Sequence, residues 1–299
     1  MNVGFIGIGN MGFGMAANIL KAGFNVTAFD LSKGALDRFE EIGGNVCSNN
    51  AELGEMSDVV FVMTMSGPQA DSAMYGENGL CEKIKKGAVV IVTASCGEPW
   101  IKKIEEKIPE DVFLLDCPVT GGQTRANSGE LTLMLSGDKN AYEKAEPVLK
   151  ACSEKIYYCG KNPGDGQNAK SCNQLMTGIE YIAAAEALSL AMKAGLDAEI
   201  VANIIGDGVA GSQMFRQVAN YAMDRDFMGG GANMMTMHKD MDLVMEVARN
   251  YDCPLNLSAL TAEYFRSGWV KYKDECTWAV AKVVEDMCGT VIDRNANKK

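Results

Sequence analysis

Val3-Gly4-Phe5-Ile6-Gly7-Ile8-Gly9-Asn10-Met11-Gly12 decides the reading of this chain. An apolar run of strand length, Val3 to Gly7, passes directly into a glycine-spaced turn. An amphipathic stretch from Met11 to Ala22 follows and stops at Gly23. A second apolar run, Val26-Thr27-Ala28-Phe29-Asp30, comes next. Strand, G-x-G-x-x-G turn, helix, strand and terminal acid is the order that a dinucleotide site requires. Gly7 permits the tight turn, Gly9 lets a pyrophosphate approach the backbone, and Gly12 lets the helix pack on the strand. The helix N-terminus, with Asn10 and Met11, offers free N–H groups and partial positive charge to the phosphates. A bare G-x-G-x-x-G is weak in a chain with 32 Gly, so the context on both sides carries the expectation.

Asp30, at the end of the second strand, suits adenosine ribose hydroxyls and repels a 2′-phosphate. No Arg precedes Arg38 to compensate, so NAD is favoured over NADP. Capping of the following helix is the alternative role for an Asp here.

The same alternation continues outward. Val59 to Thr64, Val89 to Thr93, Val112 to Leu115, Leu131 to Leu135 and Ile156-Tyr157-Tyr158 read as strands, several of them continuously apolar. That pattern belongs to a parallel sheet covered by helices on both faces. Helix-like stretches such as Ser32 to Ile42, ending at Gly43, lie between them. Residues 1–162 therefore predict a doubly wound α/β domain. Past Asn162-Pro163-Gly164 the strand signals stop. Asp165 to Gly195 reads as one long joining helix, capped by the Asp and closed by the Gly, and further helices are expected at 197–206, 211–224, 233–250, 256–271 and 275–288. Residues 163–293 thus predict an all-α domain, and 294–299 a tail that frays from Asn295 to Lys299.

Composition narrows the function. With 28 Lys+Arg against 39 Asp+Glu, the net charge of −11 disfavours nucleic-acid partners. No apolar run reaches the roughly 18 residues of a membrane span, and the N-terminus lacks the marks of a secretory signal, so a cytoplasmic protein is expected. The ten Cys form no Cys-x-x-Cys pair and have one His for company, so no metal site is expected. Any His-based acid–base step must use His238.

Three segments are too polar or too Gly-rich for their surroundings. Asp116-Cys117-Pro118-Val119-Thr120-Gly121-Gly122 follows a strand, and its consecutive N–H groups at Thr120, Gly121 and Gly122 make an anion-accepting nest; a plain Gly-Gly turn is the other reading. Gly164 to Gln174 places Lys170, Asn173 and Gln174 at i, i+3 and i+4 on one helix face, continuing to Thr177, although a Lys near a helix start is ordinarily solvated. Met237-His238-Lys239-Asp240-Met241-Asp242 sets a second Lys in a Met-rich helical region, where a solvated face is again the default.

Together these residues resemble the β-hydroxyacid dehydrogenase family, the group of 3-hydroxyisobutyrate dehydrogenase, tartronate semialdehyde reductase and 2-(hydroxymethyl)glutarate dehydrogenase. The likeness covers essentially the whole chain: Gly4 to Gly12, Asp116 to Gly122, Gly166 to Gln174, Gly208-Val209-Ala210-Gly211-Ser212 and Lys239-Asp240 occur in the family's order. The resemblance implies a Rossmann-type N-terminal domain followed by an all-α C-terminal domain. It implies Lys170 as general acid/base, Asn173 and Gln174 as substrate-facing amides, and Thr120, Gly121 and Gly122 as the carboxylate loop. Met63-Thr64-Met65, Ser95 and Lys239 match cofactor-contacting positions, and a homodimer or homotetramer is implied. Three residues depart from the usual pattern: Met65 stands for Pro, Thr120 for Ser and Cys117 for Ala. None removes a group that the chemistry needs.

The implied reaction transfers hydride between the cofactor and a small carboxylate-bearing hydroxy acid or semialdehyde. The proton would pass through Lys170, whose pKa burial and nearby positive charge would lower. His238 is a rival base. Arg125 suits either a second acidic group on the substrate or a solvated loop. The alternative readings are an imine reductase of the same superfamily, which usually lacks the Lys, a longer 6-phosphogluconate dehydrogenase, and a non-catalytic NAD-binding scaffold.

Overall fold

The computed structural model describes residues 1–229 and 232–298. The chain divides into two compact units, Met1–Lys170 and a second beginning at Ser171. The first alternates strand and helix: β1 (Asn2–Ile6), α1 (Asn10–Lys21), β2 (Asn25–Phe29), α2 (Lys33–Glu41), β3 (Asn45–Val46), α3 (Asn50–Met56), β4 (Val59–Val62), α4 (Gly67–Tyr75), β5 (Val89–Val92), α5 (Glu98–Lys107), β6 (Phe113–Asp116), β7 (Val119–Thr120), α6 (Gly122–Ser128), β8 (Leu131–Gly137), α7 (Lys139–Ala151) and β9 (Ser153–Gly160).

The strands form one sheet in the order β3-β2-β1-β4-β5-β6-β8, with β7 and β9 also pairing to β8. Strands β1 to β6 run parallel, β8 is antiparallel to β6 and β7, and β9 is parallel to β8. This is the doubly wound arrangement that the continuous apolar runs predict. Alternate residues of one strand supply opposite cores, with Phe5, Phe61 and Ile91 on one face and Ile6, Val60, Val62 and Val92 on the other. Phe5 and Phe61, paired across β1 and β4, stack with centroids 5.0 Å apart. All seven anticipated strands are present. The additional β3 and β7 have two residues each, too short for any periodic pattern.

Helix α8 (Asp165–Lys193) begins in the first unit and continues into the second, followed by α9 (Ala198–Asp207), α10 (Gln213–Met223), α11 (Met234–Asn250), α12 (Asn256–Tyr272) and α13 (Val280–Cys288). Among the described residues α8 alone is long and apolar enough to cross a membrane, yet Tyr181, Ala184, Ala185 and Leu188 are buried in the second unit's core. That core joins them to Val218, Met241, Phe265 and Trp278. The buried Tyr181 hydroxyl is satisfied by Thr277 Oγ1 at 3.1 Å, and Tyr221 stacks on Trp278 at 4.6 Å. The helix expected at 275–288 is a 3₁₀ turn, Thr277–Ala279, leading into α13.

The C-terminus corrects one expectation. Within residues 294–298 the chain is tethered, not frayed. Arg294 Nε donates to Asp224 Oδ1 at 2.6 Å, its Nη1 to Glu199 Oε1 at 2.8 Å, and Asn297 Nδ2 to Leu196 O at 3.3 Å. A forked guanidinium with two carboxylates within reach holds a segment that composition alone reads as free. Lys299 lies outside the described residues.

Candidate active site

The glycine turn lies beyond the C-terminal end of β1, where β2 and β4 flank it and the strand order reverses. Gly7 has φ +87°, and a Cβ there would stand 2.4 Å from Met63 O. A Cβ on Gly12 would stand 2.0 Å from Gly7 O, so the helix packs on the turn only because Gly12 has none. A Cβ on Gly9 would meet no heavy atom within 4 Å. The backbone at Gly9, the N-cap of α1, is therefore open, and the first turn of α1 carries no acidic side chain and no side-chain cap. Such a cradle fits a pyrophosphate.

Asp30 is tied to this turn. Its Oδ2 accepts from Ile8 N and its Oδ1 from Ser32 N, both at 2.8 Å. The N-cap of α2 is Ser32, not Asp30. The Met63-Thr64-Met65 segment runs alongside, with Met63 N donating to Ile6 O at 2.8 Å and Met65 N to Gln69 Oε1 at 2.9 Å. Gly7, Gly9, Asn10, Met11, Gly12, Asp30 and Met63 to Met65 thus gather at the ends of three adjacent parallel strands. Ser95 lies in the loop after the fourth, β5.

Thr120 closes β7, Gly121 is the N-cap of α6 and Gly122 its first residue, with φ +134° and +70° at the two glycines. Both values are left-handed, so Gly is required there. Arg125, on α6, is ion-paired with Glu154 on β9.

The start of α8 is built in a way that the local sequence conceals. Asp165 does not cap it; among the described residues its carboxylate accepts a single bond, from Asn162 N at 3.3 Å. The cap comes from the sheet. Asp116 Oδ2, at the end of β6, accepts from Gly164 N at 3.1 Å and Gln167 N at 3.0 Å, while Gly166 N donates to Ser136 Oγ at 3.0 Å. Ser136 Oγ donates in turn to Asp116 Oδ2 at 3.2 Å. These N–H groups would otherwise be orphaned at a buried helix end. The approach needs Gly166, whose Cβ would lie 2.5 Å from Met134 O and 2.8 Å from Asp116 Oδ2. Burial pushes the Asp116 carboxyl up to about 6, against the opposing pull of its hydrogen bonds to Gln167, Ser136 and Gly164. Gln167 is equally buried, and its side chain bonds to Asp116 and to the Ser95 loop.

One turn further on, Lys170 is only 9 % exposed, against the ordinary preference of Lys for solvent. In the second unit, Asn173 Nδ2 donates to Gln174 Oε1 at 3.0 Å, and Gln174 Nε2 donates to Asp240 Oδ2 at 2.6 Å. Asp240 is buried and pairs with Lys239 Nζ at 2.8 Å, so Lys239 joins Gln174 through one carboxylate. His238 faces Asp242 on its own helix at 3.8 Å and stacks on Trp269. Burial raises the thiols of Cys117 and Cys152, the latter to about 12, which keeps both neutral. Among the described residues no three His, Cys, Asp or Glu side chains converge as a metal site would need.

Asp116, Gln167 and Asp240 fall within the segments that the sequence marks out but receive no role from it, and Ser136 lies outside them. Asp116 had one visible signal, an acid ending the otherwise apolar Phe113-Leu114-Leu115 run.

Residues 2–160 match the family described as the NAD binding domain of 6-phosphogluconate dehydrogenase. Residues 164–284 match that described as NAD-binding of NADP-dependent 3-hydroxyisobutyrate dehydrogenase. The chain is 37 % identical to L-threonate dehydrogenase of Cupriavidus necator over 265 residues, covering 88 % of this chain and 89 % of that protein. It is 33 % identical to 2-(hydroxymethyl)glutarate dehydrogenase of Eubacterium barkeri over 295 residues, 98 % of this chain and 97 % of the other. The crystal structure of 3-hydroxyisobutyrate dehydrogenase from Salmonella typhimurium superposes with a TM-score of 0.87 at 28 % identity, covering 95 % of this chain and 99 % of that one.

Proposed function

The chain belongs to the β-hydroxyacid dehydrogenase family, and from that premise we propose that it oxidises a small β-hydroxy acid, or reduces the matching semialdehyde, with Lys170 as general acid/base. It is an oxidoreductase of CH–OH groups with NAD(P)-binding domains. The observation that carries the proposal is Lys170: an amine side chain sequestered from water, on a helix turn anchored to the sheet by Asp116 and Gln167.

The Gly7–Gly12 turn and the α1 N-terminus hold the pyrophosphate of the dinucleotide, and Asp30 receives its ribose hydroxyls. The carboxylate of Asp30 disfavours a 2′-phosphate, which supports NAD over NADP. Bound nicotinamide supplies the hydride acceptor or donor. Thr120, Gly121 and Gly122 cradle the substrate carboxylate. Asn173 and Gln174 orient the substrate through their amides, and Lys239 borders the cofactor. In the oxidising direction neutral Lys170 accepts the hydroxyl proton at Nζ; in the reducing direction protonated Lys170 returns it and stabilises the developing alkoxide. A homodimer or homotetramer is proposed from the family resemblance alone.

The relatives' names suggest the test substrates: L-threonate, 2-(hydroxymethyl)glutarate and 3-hydroxyisobutyrate. Reduction of NAD to NADH with at least one of them, faster than reduction of NADP to NADPH, is the expected result. Failure of all three in both directions would overturn the proposal.

A further inference from the structure

Gln167 is 2 % exposed, and every hydrogen-bonding position of its amide is used. Its Oε1 accepts from Cys96 N at 3.0 Å and Gly97 N at 2.9 Å. Its Nε2 donates to Ala94 O at 3.1 Å and to Asp116 Oδ1 at 2.7 Å. Three of these partners belong to the loop that carries Ser95, and the fourth ends β6. The residue itself lies three positions before Lys170 on α8. Asn168 Nδ2 adds a parallel tie to Glu98 Oε2 at 3.1 Å, on the helix that follows the same loop.

A neutral amide of this length is the side chain that answers two N–H groups with acceptors and two oxygens with donors. A Glu would keep the first pair and set a carboxylate against Asp116 and Ala94 O. An Asn would be a methylene too short.

We infer that Gln167 is a positioning residue for the reaction: through one buried amide it fixes the helix turn bearing Lys170 relative to the loop bearing Ser95. The inference rests on the role assigned to Lys170. Asp116 completes the clamp, since its Oδ2 holds the same turn by the main chain while its Oδ1 orients the amide. That orientation is what aims Oε1 at Cys96 and Gly97. A donor at the Oδ1 position of residue 116 would face the Nε2 donor and turn the amide over, so Asp116→Asn alone disrupts the clamp.

The test compares Gln167→Met, Gln167→Glu, Asp116→Asn and the exchange double variant Asp116→Asn/Gln167→Glu, which moves the negative charge without changing its sum and restores a donor–acceptor match between the two residues. Turnover is read on whichever of the three hydroxy acids the unsubstituted enzyme oxidises, alongside NADH binding and amide exchange of the 94–97 segment. Each single variant is expected to lose at least tenfold in kcat, with KM and the NADH Kd within threefold and a larger primary deuterium isotope effect. Exchange at Cys96 and Gly97 should quicken in Gln167→Met. The double variant should regain at least fivefold in kcat over either single parent. A merely structural role would lower the folded fraction and leave the isotope effect unchanged. Lys170→Met, assayed beside them, separates the two ideas. If it turns over normally, the catalytic reading fails. If it is inactive while the folded Gln167 variants keep normal kcat, or the double variant is no better than its parents, the positioning role is overturned.

Discussion

Asp116 Oδ2 stands 3.0 Å from the backbone nitrogen of Gln167, a residue 51 positions away, so a strand-end carboxylate caps the helix that bears Lys170. The cap is buried and charged at neutral pH, which gives it a pH signature. The folded protein holds the Asp116 proton up to about pH 6, whereas the ordinary carboxyl releases it near 3.8. Between those values the folded state binds the extra proton. The contribution of this group is therefore largest below about pH 4 and declines as pH rises through 6, by about 3 kcal/mol at about 1.4 kcal/mol per pH unit. Asp116→Asn cannot titrate. Urea unfolding of both proteins at pH 4 and pH 7 should show the stability of the natural protein falling relative to the variant by that order. An unchanged difference would contradict the burial argument.

The glycines of the dinucleotide turn separate binding from folding. Gly9→Ala adds a methyl group to open space, so the free protein should melt within about 1 °C of the original, while NADH binding weakens at least tenfold because the backbone no longer admits the phosphates. Gly12→Ala drives a Cβ to within 2.0 Å of Gly7 O and should lower the melting temperature by several degrees even without nucleotide. Thermal melts and NADH titrations check both. A Gly9→Ala protein that binds normally would place the nucleotide elsewhere.

Asp30 bonds Ile8 N and Ser32 N, so truncating it would loosen the turn as well as remove a charge. Asp30→Asn removes the charge and keeps one of the two acceptors, so a thermal melt of the variant is run beside it to separate loss of charge from loosening of the turn. The ratio of NADPH to NADH dissociation constants should be large in the natural protein and fall about tenfold in the variant, as expected for relief of about 1.4 kcal/mol of like-charge repulsion. Titration of both nucleotides measures it, and a ratio unmoved by the substitution would remove Asp30 from cofactor selection.

The architecture was legible because its signals are local and repeated. Continuous apolar runs such as Val89 to Val92 mark strands covered on both faces, and Gly7, Gly9 and Gly12 fall where a strand meets a helix. What escaped is non-local. The two-residue strands β3 and β7 exist only through their neighbours, Ala28 and Leu133 among them. Asp165 has the look of a helix cap, but burial of the α8 N-terminus lets Asp116 and Ser136 reach its N–H groups first. Arg125 looks available to a substrate in sequence, and only the β9 register shows Glu154 beside it. Likewise Gln174 and Lys239 share Asp240 through folding of α8 against α11, a pairing no spacing announces.

The central claim is that Lys170 moves the proton. Lys170→Met preserves most of the buried side-chain volume while removing the amine, so folding and nucleotide binding should persist. Turnover of the substrate hydroxy acid, followed by NADH absorbance across pH 6 to 10, should fall by about three decades or more and lose the acidic limb, the rise in rate as the amine deprotonates. A variant that keeps near-normal kcat with an unaltered pH profile would contradict the account.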